Sequence, residues 1–302
     1  MFALVHHEYG GPDVLEVGEV PEPHAGAGQV RIRVRAASVN AWDVKVRSGR
    51  MKDVIRPTFP VVPGLDASGV VDEVGAGVVG MQVGDEVFGL GSATTAELAL
   101  LDGWARKPAS LPWADAAACA LASETAQRGL EDLRVGEGTV LLVEGASGGV
   151  GSAAVQLARA LGATVIGTSS ERNADYVRSL GAHHTTYGPG IGDRVAALGV
   201  GSVTAVLDTA GSGSVAELVE LVDEPTQVVS VADFDAPELG ARAVRDGPRA
   251  MDALETVVRL HAEGRYRVEV ERVVPLEDAA AAHRLSEAGH VRGKVVIAVT
   301  PA

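Results

Sequence analysis

The sequence predicts an α/β protein of two domains, one mostly β and split between the two ends of the chain, the other an alternation of strands and helices. Three observations predict this. The chain has 302 residues, more than one ordinary hydrophobic core serves. Roughly the first hundred residues carry short β patterns punctuated by Gly and Pro turns. From Leu111 onward, strand patterns are separated by helical ones, which implies βαβ units, a parallel sheet and right-handed crossovers.

The β region reads as Ala3 to Val5, Leu15 to Val20, Gln29 to Val39 with Val30, Ile32 and Val34 alternating, then Gly69 to Val74 and Asp85 to Leu90. Turns at Gly10-Gly11-Pro12, Pro21-Glu22-Pro23, Pro63-Gly64 and Val83-Gly84-Asp85 separate these runs, so the domain should be irregular and mostly antiparallel. Leu111-Pro112-Trp113-Ala114-Asp115 opens an Ala-rich helix reaching about Leu133, and Val140 to Val143 is a short buried strand. Helices are then expected at Gly151 to Leu161, Asn173 to Leu180, Val215 to Val222 and Pro248 to Glu263. Strands alternate with them at Thr164 to Thr168, His184 to Tyr187, Val203 to Leu207 and Gln227 to Val231. Tyr266 to Val274 and Val295 to Val299 are β again, with Leu276 to Ala288 helical between them. The expected domains are therefore 1–114 with 267–302, and 115–266.

Composition excludes several functions. Forty acidic against twenty-six basic residues give a formal charge of −14, which repels a nucleic-acid backbone, so no nucleic-acid partner is expected. No apolar run approaches the roughly 20 residues of a membrane span, and Met1 to Glu8 lacks the charged head and apolar stretch of a secretory signal. A cytoplasmic protein with no membrane partner is expected. The single cysteine, Cys119, excludes an intramolecular disulfide and any all-cysteine metal site; in its Ala-rich helix it should be a buried, inert thiol. The eight histidines lack the i, i+4 spacing and attendant Glu of a metal pair, and surface positions are expected for them.

The strongest local signal is Val140-Leu-Leu-Val-Glu-Gly-Ala-Ser-Gly-Gly-Val-Gly151, a buried strand, a tight glycine turn and a helix N-terminus. Ala146-x-Gly148-x-x-Gly151 replaces the usual G-x-G-x-x-G. Gly148 would let backbone approach a pyrophosphate, Gly151 would let the helix pack on the strand, and free N–H groups with the helix dipole would receive the charge. This is the fingerprint of a Rossmann dinucleotide-binding domain. After the second strand come Thr168-Ser169-Ser170-Glu171-Arg172-Asn173. Ser169, Ser170 and Arg172 suit the extra phosphate of NADP, because hydroxyls donate and guanidinium engages phosphate in pairs. Glu171 argues for NAD, but the balance of the segment favours NADPH.

At this point the sequence resembles the zinc-lacking quinone oxidoreductase (zeta-crystallin-like) group of the medium-chain dehydrogenase/reductase superfamily. The marks span the chain: Ser38-Val39-Asn40-Ala41-Trp42-Asp43, Pro63-Gly64-Leu65-Asp66-Ala67-Ser68-Gly69, Val83-Gly84-Asp85-Glu86-Val87, Ser123-Glu124-Thr125-Ala126, the glycine turn with Gln156-Leu157-Ala158, Leu180-Gly181-Ala182, Asp208-Thr209-Ala210-Gly211 and Gly293-Lys294-Val295-Val296. The resemblance implies a GroES-like mostly-β substrate domain beside the Rossmann domain, a cofactor cleft between them, and a homodimer. It implies that Asn40 faces the nicotinamide side, that Thr125 lies near the nicotinamide ribose, and that Ser147, Gly148, Gly149 and Val150 wrap the pyrophosphate. It further assigns Ser170, Arg172 and Tyr187 to the 2′-phosphate and Lys294 to a segment closing over the cofactor. For Lys294 a solvated turn is the plainer expectation.

Zinc alcohol dehydrogenases of the superfamily carry a cysteine where this chain has Asn40 and a His-Glu pair where it has Leu65-Asp66, so the thiolate and imidazole ligands are missing. Without a Lewis acid, an unactivated alcohol is a poor substrate. Enones and quinones already stabilise negative charge and need only hydride delivery and protonation. Asn40 could bond a substrate oxygen or the nicotinamide ribose, and Lys45 could stabilise a developing enolate. Asp43 and Arg47 read as a structural ion pair, Asp66 as a buried turn cap, and Trp42 and Phe59 as either pocket wall or core. The rival readings are an enoyl-thioester reductase and a non-catalytic NADPH-binding or sensor protein.

Overall fold

A computed structural model of the chain describes residues 1–244 and 249–299. In chain order its main elements are β1 (Phe2–Val5), β2 (Glu16–Glu19), β3 (Val30–Val39), α1 (Ala41–Arg47), β4 (Asp66–Val74), β5 (Glu86–Ser92), β6 (Leu98–Arg106) and α2 (Trp113–Asp132). There follow β7 (Val140–Glu144), α3 (Gly149–Ala160), β8 (Thr164–Thr168), α4 (Ala174–Ser179), β9 (His183–Thr185), α5 (Ile191–Ala196), β10 (Ala205–Asp208), α6 (Val215–Leu218), β11 (Val228–Ser230) and β12 (Arg242–Ala243). The chain ends with α7 (Asp252–Ala262), β13 (Val270–Pro275), α8 (Ala279–Glu287) and β14 (Lys294–Ala298). Backbone contacts divide it into two units, Met1–Leu121 with Leu254–His261 and Val268–Ala302, and Ala122–Ala253 with Ala262–Arg267.

The first unit is a GroES-like β domain. Its main sheet runs β13-β14-β3-β4-β5-β6, with β3 pairing β6 as well, so four strands close on themselves. The ten residues of β3 make this possible: Val30 to Arg33 lie opposite Leu101 to Leu98, and Ala36 to Val39 lie opposite Ala298 to Val295. Alternation sends Val30, Ile32 and Val34 inward against Ala67, Val71, Val87 and Leu101. All pairings in this sheet are antiparallel except β13 with β14. Two elements escaped the pattern. Strand β6, Leu-Ala-Leu-Leu-Asp-Gly-Trp-Ala-Arg, lacks clean alternation and is defined by its partners β3 and β5. Helix α1 is only seven residues, yet it opens on a capping box in which Asn40 and Asp43 satisfy each other's backbone ends.

The second unit is a six-stranded sheet in the order β12-β11-β10-β7-β8-β9 with every described pairing parallel. Starting from β7, the chain builds outward through β8 and β9, then returns to the other side for β10, β11 and β12. That doubly wound order is the Rossmann sheet, and the winding reverses between β7 and β10, at whose carboxyl ends sheets of this kind place their ligands. Leu142, Ile166, Val206 and Val228 fill the core with Val215 and Leu218 of α6. The helix expected over Val215 to Val222 is one α turn followed by a 3-10 turn at Val219–Leu221. The helix expected from Pro248 begins at Asp252; Pro248 lies outside the described residues. Among the described residues no helix is long and apolar enough to cross a membrane.

Candidate functional site

In the second unit, β7 delivers the chain to a turn made by Gly145, whose φ of 78° is open to glycine and strained for other residues. Gly148 N–H donates back to Gly145 O at 2.9 Å, and α3 starts at Gly149 with Gly148 as its N-cap and no side chain on the cap. A Cβ on Gly151 would sit 2.2 Å from Gly145 O and 2.8 Å from Ala146 Cα, so glycine is what lets the first turn of α3 settle on the strand end. A Cβ on Gly148 would meet only Gly145 O, at 3.4 Å. Internal packing therefore gives little reason for glycine at 148, whereas close approach of a ligand does. The leading N–H groups of Gly149, Val150 and Gly151 have no intrahelical acceptor and point out along the helix dipole. These donors fit the pyrophosphate of a dinucleotide.

The end of β8 braces this turn: Gly145 N–H donates to Thr168 Oγ1 at 3.2 Å and Ala146 N–H to Thr168 O at 2.9 Å. Beyond it, Ser169 is buried; its hydroxyl donates to Ser170 O at 3.0 Å and lies 3.0 Å from His184 Nε2. Ser169 thus faces the protein. Ser170 is half-buried and caps the 3-10 turn Glu171–Asn173, which carries Arg172 exposed. Asn173 Nδ2 donates to Ser147 Oγ at 3.2 Å and so ties this turn to the cradle. Tyr187, two residues past β9, is 53% exposed. Parallel pairing of β7, β8 and β9 brings Ser147, Ser170, Arg172 and Tyr187 to one carboxyl edge. Thr125 is half-buried on α2, 3.4 Å from Glu124 Oε2.

In the first unit a buried polar cluster gathers at the end of β3. Ser38 Oγ donates to both Asp66 oxygens at 2.8 Å, Asn40 Nδ2 to Asp66 Oδ1 at 3.0 Å, and Leu121 N–H to Asp66 Oδ2 at 3.3 Å. Asp43 accepts from Asn40 N–H at 2.9 Å and Gly64 N–H at 3.1 Å. Lys294 Nζ donates to Asn40 Oδ1 and, at 3.2 Å, to Val39 O. Burial pushes the Asp43 carboxyl up to about 6 and pulls the Lys294 ammonium down, the latter opposed by Asp66 and Asp43. Lys45 is half-buried on α1.

Several sequence expectations are corrected here. Lys294 is not a solvated turn lysine but 8% exposed, because β14 carries it beside Asn40. Arg47 does not pair with Asp43: it is buried and bonded to Glu287 at 2.7 Å, since α1 packs on α8. Asp66 heads β4 and accepts hydrogen bonds from three residues rather than capping a turn. Three histidines are buried, not on the surface: His6 under Phe59 with ring centroids 5.6 Å apart, His184 beside Ser169, and His283 on the inner face of α8, where burial drops its pKa to about 3. Phe59 also stacks edge-on with Tyr9, so it is packed within its own unit. Cys119, by contrast, is buried as expected, and burial pushes its thiol pKa up.

Comparison with known proteins decides the family. The alcohol dehydrogenase GroES-like domain matches residues 26–103, and the zinc-binding dehydrogenase family matches residues 180–297. A chloroplast envelope quinone oxidoreductase homolog of Arabidopsis thaliana is 30% identical over 98% of this chain and 98% of its own. The quinone oxidoreductase of Coxiella burnetii superposes with a TM-score of 0.86 at 31% identity, covering 99% of each chain. The chain belongs to the quinone oxidoreductase group of the medium-chain dehydrogenase/reductase superfamily. A chloroplastic NADPH-dependent alkenal/one oxidoreductase of Arabidopsis thaliana is 39% identical over 60% of this chain. The chain spans about half the length of curated relatives of that kind. Where zinc-dependent members of the superfamily carry ligands, this member has Asn40, with its amide bonded to Asp66 and Lys294, and Leu65. Among the described residues no group of three His, Cys, Asp or Glu side chains is gathered to hold a metal ion.

Proposed function

We propose that the chain is an NADPH-dependent oxidoreductase that transfers a hydride, without zinc, to a quinone or to the activated C=C of a small α,β-unsaturated carbonyl compound. The observation that carries it is the glycine turn at the switch point of a doubly wound parallel sheet, with Gly148 free of packing demands and three helix N–H groups uncapped. Backbone around Ser147, Gly148, Gly149 and Val150 receives the pyrophosphate. Ser170, Arg172 and Tyr187 hold the 2′-phosphate, with Ser169 fixing the strand end, and Thr125 serves the nicotinamide ribose.

When bound, NADPH supplies a hydride from nicotinamide C4. Hydride addition at the β-carbon would shift the C=C pair into the bond between the α-carbon and the carbonyl carbon and the C=O π pair onto oxygen, and the resulting enolate would take a solvent proton at the α-carbon. Lys45 stabilises the developing negative oxygen, and Asn40 presents its amide in the orientation set by Lys294 and Asp66. The relatives named for quinone and alkenal/one reduction support the acceptor class. A homodimer and a cytoplasmic location belong to the same proposal; among the described residues the outer edge of β12 has no strand partner, which supports the first. The test is absorbance-monitored NADPH oxidation with a panel of enones and quinones: turnover of members of the panel is expected, and tight NADPH binding with no turnover would mark a sensor instead.

A further inference from the structure

Glu144 ends β7 at the point where the winding of the sheet reverses, and it is 2% exposed. Its backbone carbonyl accepts from Thr209 N–H at 3.1 Å and Thr209 Oγ1 at 2.6 Å. Its Oε1 accepts from Ser212 Oγ at 3.0 Å and Ser214 Oγ at 2.6 Å. One residue therefore clasps the whole turn that leaves β10. The other carboxyl oxygen, Oε2, is buried with no hydrogen-bond partner. A buried carboxylate oxygen without a donor is costly, and a proton on it removes the charge, which is the larger part of that cost.

The surroundings favour that proton. Burial raises the pKa of Glu144, with Asp208 of β10 and Glu217 of α6 pushing the same way and the two serines opposing. Asp208 accepts from Ala210 N–H, Gly211 N–H and Ser230 Oγ. Thr168, at the end of the neighbouring β8, is neutral. An anionic ligand arriving at this edge adds to the repulsion.

We propose that Glu144 is a positioning residue of the dinucleotide site: it holds Thr209 to Ser214 at the switch point and carries a proton on Oε2 when the cofactor is bound. This rests on the dinucleotide binding proposed above. Glutamine keeps an oxygen for the two serines and is neutral, whereas alanine releases the turn.

The test is a calorimetric titration of purified protein with NADPH at several pH values and in two buffers of different ionisation enthalpy, with circular dichroism to check folding. Wild type should take up a proton on binding and bind more weakly as pH rises. Glu144→Gln should bind within about threefold of wild type near neutral pH with that uptake gone, and Glu144→Ala about tenfold more weakly. Equal proton uptake in wild type and Glu144→Gln, or unchanged affinity in folded Glu144→Ala, would overturn the role of Glu144 alone. Failure of wild type to bind either NADPH or NADH would overturn the dinucleotide site itself, and this role with it.

Discussion

Lys294 Nζ donates to the amide oxygen of Asn40, and that bond turns Asn40 Nδ2 toward Asp66. The register of β14 on β3, with Val295 opposite Val39, puts the two residues side by side. Lys294→Met would leave Asn40 Oδ1 and Val39 O buried without this donor and Asp43 and Asp66 without their buried cation. A loss of about 2 kcal/mol in unfolding free energy is expected from urea denaturation at neutral pH. Unchanged stability would mean that the cluster is not held by Lys294.

Asp43 carries a pH signature of the same cluster. Its pKa rises from 3.8 to about 6 through burial, with its two backbone donors opposing. The folded protein then holds this proton more tightly than the unfolded chain does. Its contribution is fully present below the unfolded value and is lost as pH rises through the folded one, about 3 kcal/mol in all. Asp43→Asn does not titrate, so the stability of wild type relative to the variant should fall by roughly that amount between about pH 4 and 7. Denaturation curves across that range check the sign.

Two glycines of the cradle should separate folding from binding. Gly151→Ala places a methyl 2.2 Å from Gly145 O and is expected to cost about 1–3 kcal/mol of stability. Gly148→Ala has φ −80° and an open side, so stability should stay within about 0.5 kcal/mol of wild type. Dinucleotide affinity should nevertheless drop about tenfold, because the methyl occupies the approach to the pyrophosphate. Thermal melts paired with binding titrations distinguish the two.

Gln156 tests how the second unit holds its last segment. Its amide donates to Arg267 O at 3.1 Å and accepts from Arg267 N–H at 2.9 Å. Gln156→Leu leaves both backbone groups without that partner and should cost about 2 kcal/mol, measured by denaturation.

What was legible in the sequence was local. The glycine turn, its strand and its helix lie within about two dozen residues, so pattern alone announces them, and the alternation of strands and helices around them announces a parallel sheet. Pairings across the chain were hidden: Lys294 reaches Asn40 over 254 residues, and Arg47 reaches Glu287 over 240. Helix α8 buries His283 beside Ala279 and Ala282, and a titratable residue placed among small ones on the inner face left the histidine looking like a surface residue. Asn40-x-x-Asp43 has the spacing of a helix cap and could have announced α1, but Asp43 reads from sequence as a partner of Arg47; Glu144 at the end of an apolar strand gave no sign of the serines that meet it from the turn after β10.

The most direct measurement is a parallel fluorescence titration of wild type and Arg172→Ala with NADPH and NADH. Wild type should prefer NADPH, and the variant should lose about tenfold in NADPH affinity while NADH binding stays unchanged. Preference for NADH would contradict the phosphate pocket at Ser170, Arg172 and Tyr187, and binding of neither nucleotide would contradict the enzyme.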